Sequence, residues 1–187
     1  MTHRLICFLF IILLTPAHAA QIHADSVRVI DGDTLEILSA GQSVRVRLQG
    51  IDAPESRQDF GVAAKDTLTA CATGKVSVHY NKTDRYGRLV GTVFSDEKDC
   101  NLAQLENGMA WHYKTYANEQ SETERERYAH AENAARTAQK GLWAACATAP
   151  WDFRRGVTDC QHVPTATTFK ERLTQLWQGF LGGIKSK

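Results

Sequence analysis

A chain of 187 residues, 43% hydrophobic and 23% charged, is long enough for one domain with a sizeable core and short for two. Its 22 basic and 21 acidic side chains leave a formal charge of +1, which excludes a uniformly basic nucleic-acid coat; contact with nucleic acid has to come from local groups.

The opening stretch has the three parts of a secretory signal: Arg4, an apolar run from Leu5 to Leu14, then Ala17-His18-Ala19. The apolar run is about half the ~20 residues that a membrane span needs. Residues 1–19 are therefore expected to be a signal peptide and the mature chain to be exported, periplasmic or secreted. Loss of Arg4 takes the formal charge from +1 to 0. Cys71, Cys100, Cys146 and Cys160 remain, an even number that in an exported chain points to two disulfides. Wide spacings and the lack of a Cys-x-x-Cys pair argue against zinc.

From Asp25 to Gly50 the apolar residues alternate: Val27 and Val29, then Leu35 and Ile37, then Val44, Val46 and Leu48. Asp31-Gly32 and Ala40-Gly41 supply the turns of a three-stranded meander, which Pro54 ends. Phe60, Ala64, Leu68 and Cys71 recur at helical spacing before Gly74. Lys75–Tyr80 and Leu89–Phe94 return to strand alternation. Asp99 caps a short helix bearing Leu102 and Leu105, with Gly108 beyond its end. Ser121 to Glu124 is a capping box for a longer helix, with Tyr128, Ala131, Ala135, Ala138 and Leu142 buried and Lys140 in its last turn. Its charged run, Glu122 to Arg127, reads as a solvated face.

Five strands and three helices predict an α+β domain around a small barrel. Cys71 ends one helix and Cys100 begins the next, which favours pairing Cys71 with Cys100 and Cys146 with Cys160. In the tail, Phe169, Leu173, Leu176, Trp177, Phe180 and Ile184 share one side of a helical pattern. Such an amphipathic helix suits contact with a membrane or a partner, or packing on the domain.

Splitting a phosphodiester needs a positive partner for phosphate oxygens, a means of activating water, and donors for growing charge. A hard cation such as Ca²⁺ takes carboxylate and backbone carbonyl oxygens. Asp33 and Asp52, at the ends of neighbouring predicted strands, offer the carboxylates, and Glu55 is then free to deprotonate water. Arg47 and Arg88 offer planar forks that match phosphate oxygens. Arg85 with Tyr86, and Tyr113 with Tyr116, combine charge and rings as single-stranded nucleotides require. Each piece has an ordinary alternative: Asp-Gly is a common hairpin turn, and Arg88 sits in a Tyr-Gly-Arg hairpin.

The order of VRVIDGDTLEI, VRLQGIDAPE, DRYGRLVGTVF, LAQLENGMAW and AENAARTAQKGLW resembles the thermonuclease (staphylococcal nuclease-like) family across Asp25 to Trp143. The resemblance implies a five-stranded OB-type β-barrel with three helices over residues 24–147, followed by a C-terminal extension over 148–187. It implies Ca²⁺ held by Asp33, Asp52 and the backbone carbonyl of Ala53, with Asp31 supporting them from behind. Glu55 becomes the general base, Arg47 and Arg88 stabilise the transition state, and Arg85, Tyr86 and Tyr116 face the nucleotide. Ala53 departs from the threonine frequent at that position. The implied activity is hydrolysis of DNA and RNA, single-stranded or breathing, by a monomer that leaves 3′-phosphates. A catalytically silent OB module that only grips single strands is the alternative; the presence of Glu55, Arg47 and Arg88 favours the enzyme.

Overall fold

The computed structural model describes residues 20–157. Over that range the chain has a mixed α+β fold, with one multi-strand sheet and three main helices. The elements are β1 (Ala20–His23), β2 (Ser26–Val29), β3 (Thr34–Ser39), β4 (Gln42–Leu48), β5 (Ile51–Asp52), α1 (Gly61–Cys71), β6 (Val76–Thr83), β7 (Leu89–Ser95), β8 (Lys98–Asp99), α2 (Cys100–Glu106), β9 (Trp111–His112), α3 (Glu122–Thr137) and the single turn α4 (Pro150–Phe153). Short 3₁₀ segments cover Lys114–Glu119 and Gly141–Ala144.

The alternation seen in the sequence becomes the sheet. Leu35, Ile37, Val46 and Leu48 turn inward and are buried, and burying such a side chain contributes roughly 1.5–3 kcal/mol. Ala40 and Gly41 both have positive φ, 48° and 78°, the primed-turn geometry that lets β3 fold directly onto β4. Leu35 then faces Val46, and Thr34 faces Arg47. The sheet runs β1-β6-β7-β4-β3-β2, with β4 parallel to β7 and Arg47 opposite Val90. The end strands β1 and β2 are separated only by Ala24 and Asp25. The amides of those two residues donate to Val76 O (2.9 Å) and Leu38 O (2.7 Å), on opposite sides of the sheet path.

The meander is shorter than predicted. β4 stops at Leu48, and Asp52 lies in the two-residue β5, which pairs with β9 rather than with β3. Phe60 is not a helical residue but the left-handed cap (φ 68°) before α1, and it packs against the Trp111–Trp143 cluster. The capping box of α3 forms as expected. That helix ends at Thr137, however, so Ala138 is exposed and Lys140 lies past the end. Leu142 is buried from the 3₁₀ turn that follows.

Cys71 and Cys100 form a disulfide with Cα atoms 5.8 Å apart, joining the end of α1 to the start of α2. Cys146 is disulfide-bonded as well; Cys160, its expected partner, and the predicted amphipathic stretch lie outside the described residues. Among the described residues no helix is long and apolar enough to cross a membrane.

Two fully buried amides on α2 tie the sheet to the helices. Asn101 accepts from Val93 N (3.0 Å) and donates to Gln49 O (3.0 Å) and Gly91 O (3.2 Å), which locks the β4–β7 crossing. Gln104 donates to Ala64 O (2.8 Å) and to Gly32 O, pinning the β2–β3 turn against α1. Gly32 is required there because an added Cβ would lie 2.6 Å from Ala64 Cβ and 2.7 Å from Ala53 Cβ.

Candidate active site

The β2–β3 turn presents two carboxylates in succession. Asp31 Oδ1 accepts from the amide of Asp33 (3.1 Å), an Asx-type turn that fixes the loop. Asp33 is buried; its Oδ1 accepts from Thr34 Oγ1 (3.1 Å) and its Oδ2 from the amide of Ala53 (2.7 Å). That last bond draws the segment after β5 against the turn, across twenty residues of sequence.

Arg47 lies on the face of β4 opposite Val46 and Leu48. Its Nη1 donates to the carbonyls of Leu48 (2.8 Å) and Ile51 (2.9 Å). Its Nη2 lies 2.9 Å from Asp52 Oδ1 and 3.1 Å from Asp33 Oδ2, so both carboxylates converge on one guanidinium nitrogen. Burial pushes the Asp52 carboxyl above its ordinary range, against the pull of Arg154 and Arg47. Asp31 is raised too, by burial first and then by the nearby Asp33 charge.

Glu55 was expected to be free; it is held. Arg154, the residue that caps the end of the turn α4, places Nη1 2.7 Å from Glu55 Oε1 and Nη2 2.7 Å from Asp52 Oδ2. Nη1 also lies 3.3 Å from Asp52 Oδ1. No motif surrounds this arginine, and it lies about a hundred residues from its partners, so nothing in the sequence marks it.

The opposite wall comes from the β6–β7 hairpin. Asp84 Oδ1 accepts from the amides of Tyr86 (2.9 Å) and Arg88 (3.0 Å), and Oδ2 from Arg88 Nε (2.8 Å). Desolvation of Asp84 is outweighed by these bonds, which hold its carboxyl below the usual range. The ring of Tyr86 sits beside two guanidiniums, 4.8 Å from that of Arg85 and 5.5 Å from that of Arg88. Tyr86 is 67% exposed and Tyr116 52%, so both rings are accessible for stacking. Tyr113 and Tyr116 meet edge to face at 5.5 Å, and Lys82, which no motif marks in the sequence, lies 5.4 Å from the Tyr116 ring.

All these groups line one cleft of about 670 Å³: Asp31, Asp33, Arg47, Asp52, Ala53 and Glu55 form its floor, and Arg85, Tyr86, Arg88, Tyr113 and Tyr116 its rim. Among the described residues no three His, Cys, Asp or Glu side chains form a metal-binding group. The expected donor set has only two carboxylates with a backbone carbonyl, and its chemistry fits a hard cation. Its oxygens are hard, and Asp33 and Asp52 converge on a position that a positive group already shares.

Residues 45–145 match the family described as staphylococcal nuclease homologue. The matched region includes Arg47, Asp52, Glu55 and Arg88 but neither Asp33 nor Arg154. The chain is 38% identical over 142 residues to an uncharacterized endonuclease of Escherichia coli, covering 74% of this chain and 89% of that protein. It is 36% identical over 156 residues to the micrococcal nuclease of Shigella flexneri, covering 78% and 87%. Over 134 residues it is 37% identical to the staphylococcal-like nuclease CAN1 of Arabidopsis thaliana, covering 71% and 39%.

Proposed function

Since the chain belongs to the staphylococcal nuclease family, we propose that it is an exported, Ca²⁺-dependent nuclease that hydrolyses DNA and RNA with little sequence preference. The observation that carries this reading is the convergence of Asp33 and Asp52 on Arg47, in the cleft that also holds Glu55 and Arg88.

In this reading Asp33, Asp52 and the Ala53 carbonyl hold Ca²⁺, with Asp31 steadying Asp33 through its amide. Bound Ca²⁺ supplies a positive centre that offsets charge on the phosphate. The Glu55 carboxylate takes a proton from water as the water oxygen bonds to phosphorus. The P–O5′ bond breaks, the departing 5′ oxygen takes a proton from solvent water beside Arg88 while Glu55 returns its proton to solvent, and the products are a 3′-phosphate and a 5′-hydroxyl. Arg47 and Arg88 match the phosphate oxygens as their charge grows. Tyr86, Tyr113 and Tyr116 stack on bases while Arg85 lies near the backbone, which suits single-stranded or breathing substrate.

The finer fold reading is an OB-type barrel, supported by end strands β1 and β2 that run on from each other and hydrogen-bond both sides of the sheet path. Export is supported by the leader pattern of residues 1–19 and by the Cys71–Cys100 bond.

Release of acid-soluble nucleotides from denatured DNA tests the reading, with Ca²⁺ and then with a chelator. Activity in Ca²⁺ alone is expected; equal activity in both removes the metal from the scheme. Glu55→Gln should lower turnover by about 10²–10⁴-fold, and unchanged turnover rejects Glu55 as the base.

A further inference from the structure

Two guanidiniums hold the Asp52 carboxylate, and they are not equivalent. Arg47 is fixed: beyond its two carboxylate partners, its Nη1 is bonded to two backbone carbonyls, and its side chain is 17% exposed. Among the described residues the Arg154 guanidinium bonds the carboxylates of Asp52 and Glu55 and no backbone carbonyl, and its side chain is 44% exposed. Of the two, Arg154 alone can leave without unmaking backbone structure.

The segment carrying Arg154 is nonetheless firmly placed. The side-chain amide of Gln58 donates to Thr148 O, and Ala149 and Pro150 are buried. Trp151 packs edge-on to Trp111 at 6.2 Å and lies 5.7 Å from Tyr113. Asp152 is buried and paired with Arg155. None of these anchors passes through Arg154, so its guanidinium can swing away while α4 stays docked. The segment also lies beyond residue 145, where the family match ends.

We propose that α4 is an autoinhibitory latch: Arg154 takes the cation's side of Asp52 and Glu55, and a divalent cation binds by displacing it. This rests on the Ca²⁺ reading above. A guanidinium fork and a hard divalent cation compete for the same carboxylate oxygens, Asp52 Oδ2 foremost, and cannot both sit on them. The latch satisfies a nearly inaccessible carboxylate when no metal is bound, and it also removes Glu55 from service. It therefore raises the Ca²⁺ concentration at which the site assembles.

Equilibrium dialysis of the full chain against radioactive calcium tests the latch directly, without an activity assay. Arg154→Gln should bind Ca²⁺ about tenfold more tightly than wild type. Arg154→Lys, which keeps the charge but loses the fork, should fall between them and covers the case of a poorly folding Gln variant. Arg125→Gln, which removes a charge on α3 away from the cleft, should match wild type. Affinity unchanged or weakened in both Arg154 variants overturns the latch while leaving the Ca²⁺ reading standing, since wild type still binds. No binding by wild type or variants overturns the Ca²⁺ reading, and the latch with it.

Discussion

The floor and the rim of the cleft both present an arginine, but they are built in opposite ways. On the floor, Asp33 is held by the amide of Ala53 and by Arg47, and the turn that carries it is pinned by Gln104 from α2. These partners come from separate elements, so the floor exists only once the domain has packed. On the rim, Asp84 collects two amides and the guanidinium of Arg88 within five consecutive residues. The rim's geometry is local. Stability and function should thus be coupled at the floor and separable at the rim.

Arg47→Ala tests the coupled half most severely. It leaves Asp33 without its guanidinium and Asp52 with Arg154 alone, and should cost about 3 kcal/mol in urea unfolding together with most of the activity. Loss of activity at unchanged stability would show that the floor is not held together by that arginine. Gln104→Ala, which touches no substrate, should cost about 1–3 kcal/mol by leaving the buried carbonyl of Gly32 without its donor, and should lower turnover by loosening the Asp31–Asp33 turn. Arg88→Ala should move unfolding by no more than about 1 kcal/mol, the scale of a partly exposed ion pair, while lowering turnover strongly. A large stability loss there would erase the distinction between floor and rim. Tyr86→Ala should leave unfolding unchanged and raise KM about tenfold, the scale of one base stacked on a ring.

The same division sets what the sequence reveals. The β2–β4 meander is legible because its inward positions alternate, and α3 because Ser121 and Glu124 satisfy its first turn locally. The Asp84–Arg88 hairpin advertises itself in the same way. By contrast, Asn101, Gln104 and Glu132 are buried polar groups, which a hydrophobicity pattern assigns to the surface. Each is paid for by partners distant in sequence; Glu132, for instance, accepts from the amide of His112 and from Lys114. The two-residue ladder of β5 with β9 is too short to leave a period. Arg154 is hidden for the same reason as the buried amides: its role depends on carboxylates about a hundred residues away.

The strand pair β1 and β2 has a consequence for how the molecule meets copies of itself. A long exposed strand edge is a template on which a second chain can add a strand, and aggregation follows. Among the described residues each end of the sheet path is a strand of four residues, and the chain bends between them at Ala24 and Asp25. Neither end gives an incoming strand more than a few backbone groups in one register. Crowded molecules of this protein should therefore resist edge-to-edge accretion, and a proline placed within β1 should add little further protection.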